Sequence, residues 1–298
     1  MITRTYASPA AFKEALEARL RADAARSGRA LGRQRQLVVF ERFLARLAAE
    51  LGDCVVVKGG VVLELRLARA RTTKDIDLRV TGDPNTLESR LRAAVARDLG
   101  DHLVFEIGPD PTHPTIEGEG IVYEGRRYRA AAMRARKRYG DPFGVDAGFS
   151  DRLVASPEII AGSSFLAFAG VATPRLRVYP RESHVAEKLH AYTLPRPREN
   201  SRVKDLPDLA LLATTGSFEG AHLRAALDAT FTFRGTHPLP PALPAPPSAW
   251  ASPYVRMAQS DTLPWTTLDT VTDAVRAFLD PVLVGLAQTW DADAWRWR

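Results

Sequence analysis

The stretch that most constrains this chain is residues 54–80, CVVVKGGVVLELRLARARTTKDIDLRV. Val55 to Val57 is a short β-branched apolar run, which predicts a buried strand. Lys58-Gly59-Gly60 ends it, and Val61 to Leu67 carries an apolar repeat of helical period. A second strand is predicted over Ile76 to Val80, reached through Thr72-Thr73-Lys74-Asp75. Asp75 and Asp77 are two apart, so on a strand both carboxylates point to one face. Like charges so placed raise each other's pKa unless a cation lies between them. Mg²⁺ suits that position, because it takes carboxylate oxygens and bridges them to phosphates. Two glycines without Cβ atoms let a triphosphate approach backbone N–H groups. Taken alone, D-x-D also occurs as a water-facing strand cap, and Gly-Gly as an ordinary turn. It is their order, with strand and helix between, that is restrictive.

Further along, Phe143, Val145 and Ala147 alternate with Gly144, Asp146 and Gly148. Asp146 therefore shares a strand face with two glycines, which leaves room beside its carboxylate. Between these pieces, residues 126–140 (RRYRAAAMRARKRYG) form the densest basic run. Alternation sets Arg127 and Arg129 on one face, with Arg134, Arg136 and Arg138 beyond, and Tyr128 and Tyr139 among them. Arginine and aromatic side chains so mixed can hold unpaired RNA by phosphate contact and stacking, or simply decorate an exposed hairpin. In the C-terminal part, Arg181 to Tyr192 predicts a helix on which Lys188 lies one turn from both His184 and Tyr192; taken alone, Glu187 and Lys188 also read as a solvated face. Asp205 and Asp208, three apart, share a face of the next helix.

The order strand, Gly-Gly, short helix, Asp-x-Asp resembles the DNA polymerase β-like nucleotidyltransferase superfamily. Within it, Lys58, Gly59, Gly60, Arg71, Thr73, Asp75, Ile76, Asp77 and Leu78 resemble the AbiEii/AbiGii toxins, the branch that includes MenT-like toxins. A-E-K-L-H-A around Lys188 and R-x-K-D-x-x-D-L around Asp205 resemble the same family. The resemblance implies an α+β fold: a mixed β-sheet lobe flanked by helices, joined to a mainly helical C-terminal lobe. It implies an Mg²⁺-dependent enzyme that moves a nucleoside monophosphate from an NTP to an acceptor hydroxyl. Asp75, Asp77 and Asp146 would be metal ligands, and with Lys188 and Asp205 the catalytic set. Lys58, Gly59, Gly60, Arg71, Thr73 and Asp208 would contact the nucleotide. Implied partners are tRNA, modified at its 3′ acceptor end, and a cognate AbiEi-like antitoxin protein. Gly60 departs from the Gly-Ser common in the wider superfamily, which removes a side-chain hydroxyl from the phosphate turn. Transfer to protein or a small molecule, or a catalytically silent nucleic-acid-binding role, are the alternatives.

The rest of the chain predicts helices over 10–25, 33–50, 83–99, 215–230 and 268–286, the last interrupted at Pro281. Arginines of the 33–50 helix are read as a solvated face. Leu153 to Val171 and Leu176 to Tyr179 should complete the sheet, setting a boundary near 179 between lobes 1–179 and 180–298. Thr236 to Ser248 is too rich in proline for regular structure. Trp295 and Trp297 in the tail either pack on the lobe or touch a partner. No apolar run nears the roughly 20 residues of a membrane span, no signal-peptide core is seen, and one cysteine excludes an internal disulfide framework. A cytoplasmic protein is expected. A formal charge of +6 favours a polyanionic partner.

Overall fold

The computed structural model describes residues 6, 8–67, 72–116, 125–149, 153, 155–196 and 202–298. Arg71 lies outside the described residues, as do Gly120 to Tyr123, which the sequence reads as the first strand of a hairpin around Glu124-Gly125. Helix α1 (Pro9–Ser27) starts as its sequence dictates. The Ser8 hydroxyl accepts from the Ala11 N–H, Pro9 fills the first turn, and Gly28 closes the helix with φ +72°. Helix α2 (Leu31–Leu51) leads to β1 (Val55–Lys58), then the short α3 (Gly60–Arg66) and β2 (Asp75–Val80). There follow α4 (Leu87–Ala96), β3 (Val104–Pro109), β4 (Gly125–Arg134), β5 (Lys137–Arg138), β6 (Phe143–Gly148), β7 (Glu158–Ala161) and β8 (Arg175–Val178).

These strands form one mixed sheet in the order β3-β4-β6-β2-β1-β8-β7, with β5 also paired to β4. The pairs β2–β6 and β1–β8 are parallel, the rest antiparallel. One face is the core. Ile76, Leu78 and Val80 of β2, Phe143, Val145 and Ala147 of β6, and Tyr128, Ala130 and Ala132 of β4 pack with α1, α2 and α4 there. The alternate residues of the same strands face the other way, and they carry the charges.

Helices α5 (Arg181–Thr193), α6 (Asp205–Ala213), α7 (Gly220–Arg234), α8 (Ala251–Asp261) and α9 (Leu268–Leu283) build a second apolar cluster. Thr267 and Thr270 form a reciprocal capping box at the start of α9, and Pro281 sits in its last turn without ending it. Helix α3 joins the two clusters: Val61 and Val62 belong to the sheet core, Leu63 to the helical one. The tail forms a hairpin of β9 (Trp290–Asp291) and β10 (Arg296–Trp297). Trp290, Trp295 and Trp297 donate their indole N–H groups to the carbonyls of Ala213, Ala274 and Phe278. The tail tryptophans therefore pack on the helical cluster.

Three expectations are corrected. Of Leu153 to Val171, the described residues give the sheet only β7, an edge strand with Ile159 exposed. Arginines of α2 are not a solvated face. Arg42 and Arg46 are buried and donate to the buried Asp101 through Nε at 2.7 Å and through both Nη atoms at 2.8 Å. Arg33 pairs with Glu64, and Arg35 with Glu17. Charge pattern alone misses this because the acids come from other segments. Finally, Tyr128 and Tyr139 are core residues rather than stacking platforms: Tyr139 donates to Glu17, and Arg134 is buried over the Phe12 and Tyr139 rings.

Candidate active site

The site begins at the turn between β1 and α3. Gly59 has φ +72° and ψ −161°, a conformation few side-chain-bearing residues adopt. A Cβ there would also overlap the Asp77 carboxylate. Only glycine lets the turn lie against that acid. Gly60, the first residue of α3, is buried.

Strand register then assembles the charges. Lys58 pairs with Asp77 across β1–β2, Asp77 with Asp146 across β2–β6, and Asp146 with Arg127 across β6–β4. Paired residues share a face, so Lys58, Asp77, Asp146 and Arg127 make one row over four strands, cation–acid–acid–cation. The adjacent row runs Asp75, Gly144, Arg129 and Gly108 across β2, β6, β4 and β3. All three expected acids thus lie on one sheet face. Asp75 accepts from the Gly144 N–H at 3.2 Å, and a Cβ on Gly144 would come within 2.6 Å of Asp75 Oδ1. Arg127 grips Asp146 with a fork, Nε to Oδ1 and Nη2 to Oδ2, both at 2.8 Å. Asp146 in turn keeps the Arg127 guanidinium charged.

Burial pushes the Asp77 pKa above the ordinary carboxylate value, opposed by Lys58 and reinforced by Asp146 and Asp75. A carboxylate held this way gains from any cation that arrives. The donor set is all oxygen and lies beside a glycine cradle, which fits a hard divalent ion such as Mg²⁺. Among the described residues no group of three or more His, Cys, Asp or Glu side chains stands close enough together to hold a metal ion as placed.

The helical cluster meets this face at the Lys58 end. Lys188 on α5 donates to Asp205 Oδ1 at 3.0 Å and Asp208 Oδ2 at 2.7 Å, and both aspartates are fully buried at the start of α6. Lys188 also bears electrostatically on Asp77. Glu187, expected on a solvated face with Lys188, is instead a junction. It accepts from Tyr179 Oη at 3.0 Å and Arg234 Nη2 at 3.2 Å, and lies 3.7 Å from Lys58 Nζ. Burial opposes its charge, but Lys58 and Arg234 outweigh that and hold its pKa low.

Thr73 is buried. Its hydroxyl donates to the Asp75 carbonyl at 3.3 Å, its N–H to Glu64 at 2.8 Å, and its carbonyl accepts from Arg33 at 2.9 Å. It therefore orders the approach to β2 from below the surface. Arg71 falls outside the described residues. Arg127, Glu187 and Glu64 join the site without having been expected there. Arg127 alone carried a signal, since its two-residue offset from Arg129 matched the alternation of Asp75 and Asp77.

His184, one turn before Lys188, is buried with Nε2 unpartnered, and burial with Lys188 lowers its pKa to about 3. His190 is likewise lowered to about 3, by burial and Arg234. Both are neutral when folded and take up protons below the ordinary value of 6.5 when unfolded. Folding stability should therefore fall as pH drops below about 6.5 and keep falling toward 3. Together the two groups contribute a slope of up to roughly 2.7 kcal/mol per pH unit. Urea melts at pH 7 and 5 check this, and replacing both histidines should flatten the fall.

A model of the family described as "Nucleotidyl transferase AbiEii toxin, Type IV TA system" matches residues 42–295. No curated protein sequence matches the chain. Among solved structures, MenT4, a nucleotidyltransferase toxin of Mycobacterium tuberculosis, is similar at TM-score 0.56 and 18% identity, covering 94% of this chain and 92% of that one. JHP933 from Helicobacter pylori aligns over 66% of this chain and 77% of its own, at 16% identity and TM-score 0.40.

Proposed function

Since the chain belongs to the AbiEii family of nucleotidyltransferase toxins of type IV toxin–antitoxin systems, we propose that it transfers NMP from an NTP to RNA, at the 3′ acceptor end of tRNA, and so blocks translation. The observation that carries this is the placement of Asp75, Asp77 and Asp146 on one sheet face beside the Gly59 turn. In the reaction, the acceptor hydroxyl oxygen forms a bond to the α-phosphorus. The bond from that phosphorus to the β-phosphate oxygen breaks, and pyrophosphate leaves.

Asp75 and Asp77, with Asp146, would hold Mg²⁺, which neutralises phosphate charge and makes a hydroxyl a better nucleophile. Gly59 and Gly60 receive the triphosphate on backbone N–H groups. Lys188 supplies positive charge to the phosphates as negative charge shifts onto the leaving group. Asp205 and Asp208 fix its ammonium in place, and Asp208 adds a second anchor near the nucleotide. Lys58, steadied by Glu187, does the same from the sheet side. Asp146, held by the Arg127 fork, orients the attacking hydroxyl and takes its proton. A family built on toxin–antitoxin pairs implies an antitoxin partner. Among the described residues no helix is long and apolar enough to cross a membrane.

The test is incubation of the purified chain with each α-³²P-labelled NTP and Mg²⁺, with total RNA or protein extract as acceptor. Label should enter RNA of tRNA size and be lost on 3′-end trimming. Label entering protein alone would overturn the RNA reading.

A further inference from the structure

The two ends of the charged rows differ in access. At the Lys58 end, α5 and α6 cover the site. At the β4 end the face is open among the described residues: Arg129 and Arg138 are exposed, and Val104 beside Met133 is 64% exposed. Register lines these residues up. Arg138 pairs with Met133, so it shares the face of Arg129 and Arg127. Along β4 these positions form a track that runs about 13 Å from Met133 to Arg129, at about 3.3 Å per residue, and ends one pair further at Arg127 and Asp146.

Between Arg129 and Asp75 stands only Gly144, and on the far side of Arg129 is Gly108. A Cβ on Gly108 would meet nothing within 4 Å. On the Gly108 side of Arg129 the floor is therefore bare backbone, low enough for a sugar–phosphate chain to lie on, while on the other side the Asp75 carboxylate leans over Gly144. The Arg129 and Arg138 guanidinium groups make no hydrogen bond or ion pair with a described residue. The acids near the track are Asp110, which feels Arg129 and Arg127, and Glu106, opposite Ala131. No aromatic side chain of β4 faces this way, so recognition would rest on phosphate charge rather than stacking.

We propose that the open face of β3, β4 and β6 is the acceptor track, where Arg129 and Arg138 bind phosphates of the last unpaired nucleotides of an RNA whose 3′ hydroxyl reaches Asp146. This rests on the RNA reading above and deepens it. It divides the site into a nucleotide half under the helical cluster and an acceptor half on bare sheet.

The experiment compares the full chain, Arg129→Ala/Arg138→Ala, and a charge-matched control, Arg21→Ala/Arg256→Ala, whose arginines are exposed on α1 and α8. Binding of a short single-stranded RNA with a free 3′ hydroxyl is measured across a salt series. The track variant should bind at least about tenfold more weakly, with the log–log salt slope smaller by about 1.4 for two lost single-strand contacts. The control should match the unsubstituted chain, and affinity for NTP should be the same in all three. If the unsubstituted chain labels RNA but the track variant binds it with unchanged affinity and slope, the track is wrong and the RNA reading stands. If the unsubstituted chain labels protein alone, both fall.

Discussion

Asp77→Asn is expected to cut nucleotidyl transfer by at least about a thousandfold while raising the thermal stability of the metal-free protein. The two effects share one cause. Burial and the neighbouring acids Asp146 and Asp75 lift the pKa of Asp77, with Lys58 only partly offsetting them. A folded-state pKa above the ordinary 3.8 means that ionised Asp77 costs stability, and the cost appears as pH rises through the raised value. Asparagine keeps the shape and removes the charge, so the fold gains what the reaction loses. Transfer rates measured beside melting curves separate this from simple unfolding, which would lower both. A variant that is inactive and less stable would mean Asp77 serves the fold instead.

Asp101→Asn should be the most damaging change away from the site. Asp101 is completely buried and receives Arg42 Nε and both Arg46 Nη atoms, as well as the Leu103 N–H. Asparagine would leave two buried guanidinium groups without a counter-charge. Breaking such a cluster from one side costs about 3–5 kcal/mol, because the remaining ions stay desolvated. The pH signature differs from that of Asp77. Burial opposes ionisation of Asp101, but the two arginines prevail and lower its pKa, so its contribution is present above the ordinary 3.8 and is lost as pH falls. Urea titration of the variant gives the magnitude. A loss below about 1 kcal/mol would show that the cluster is not closed in solution.

How far the sequence foretold this arrangement depends on the range of the interaction. Short-range pattern was legible: Asp75 and Asp77 share a face because strands alternate, Gly59 is a turn because only glycine tolerates its φ, and Asp146 shares a face with flanking glycines. The pairing of Asp77 with Asp146 is a matter of register between strands 69 residues apart, which alternation does not specify. Arginine partners were misread for the same reason. Arg42 and Arg46 look like a solvated helix face until β3 and its preceding turn bring Asp101 against them. Glu187 looked equally solvent-facing until α7 delivered Arg234 and β1 delivered Lys58. Aromatic residues erred in the opposite direction. Tyr128 and Tyr139 stand among arginines in sequence, yet Tyr128 faces the core on β4 and Tyr139 is pulled inward by Glu17.

In the proposed reaction Asp75, Asp77 and Asp146 would act together on a divalent ion at the glycine turn. The most direct measurement is electron paramagnetic resonance of Mn²⁺ added with a non-hydrolysable NTP analogue to the unsubstituted chain and to Asp75→Asn/Asp77→Asn. A protein-bound Mn²⁺ signal in the first, and only the signal of the Mn²⁺–nucleotide complex in solution in the second, is the predicted result. The same bound signal in both would contradict it.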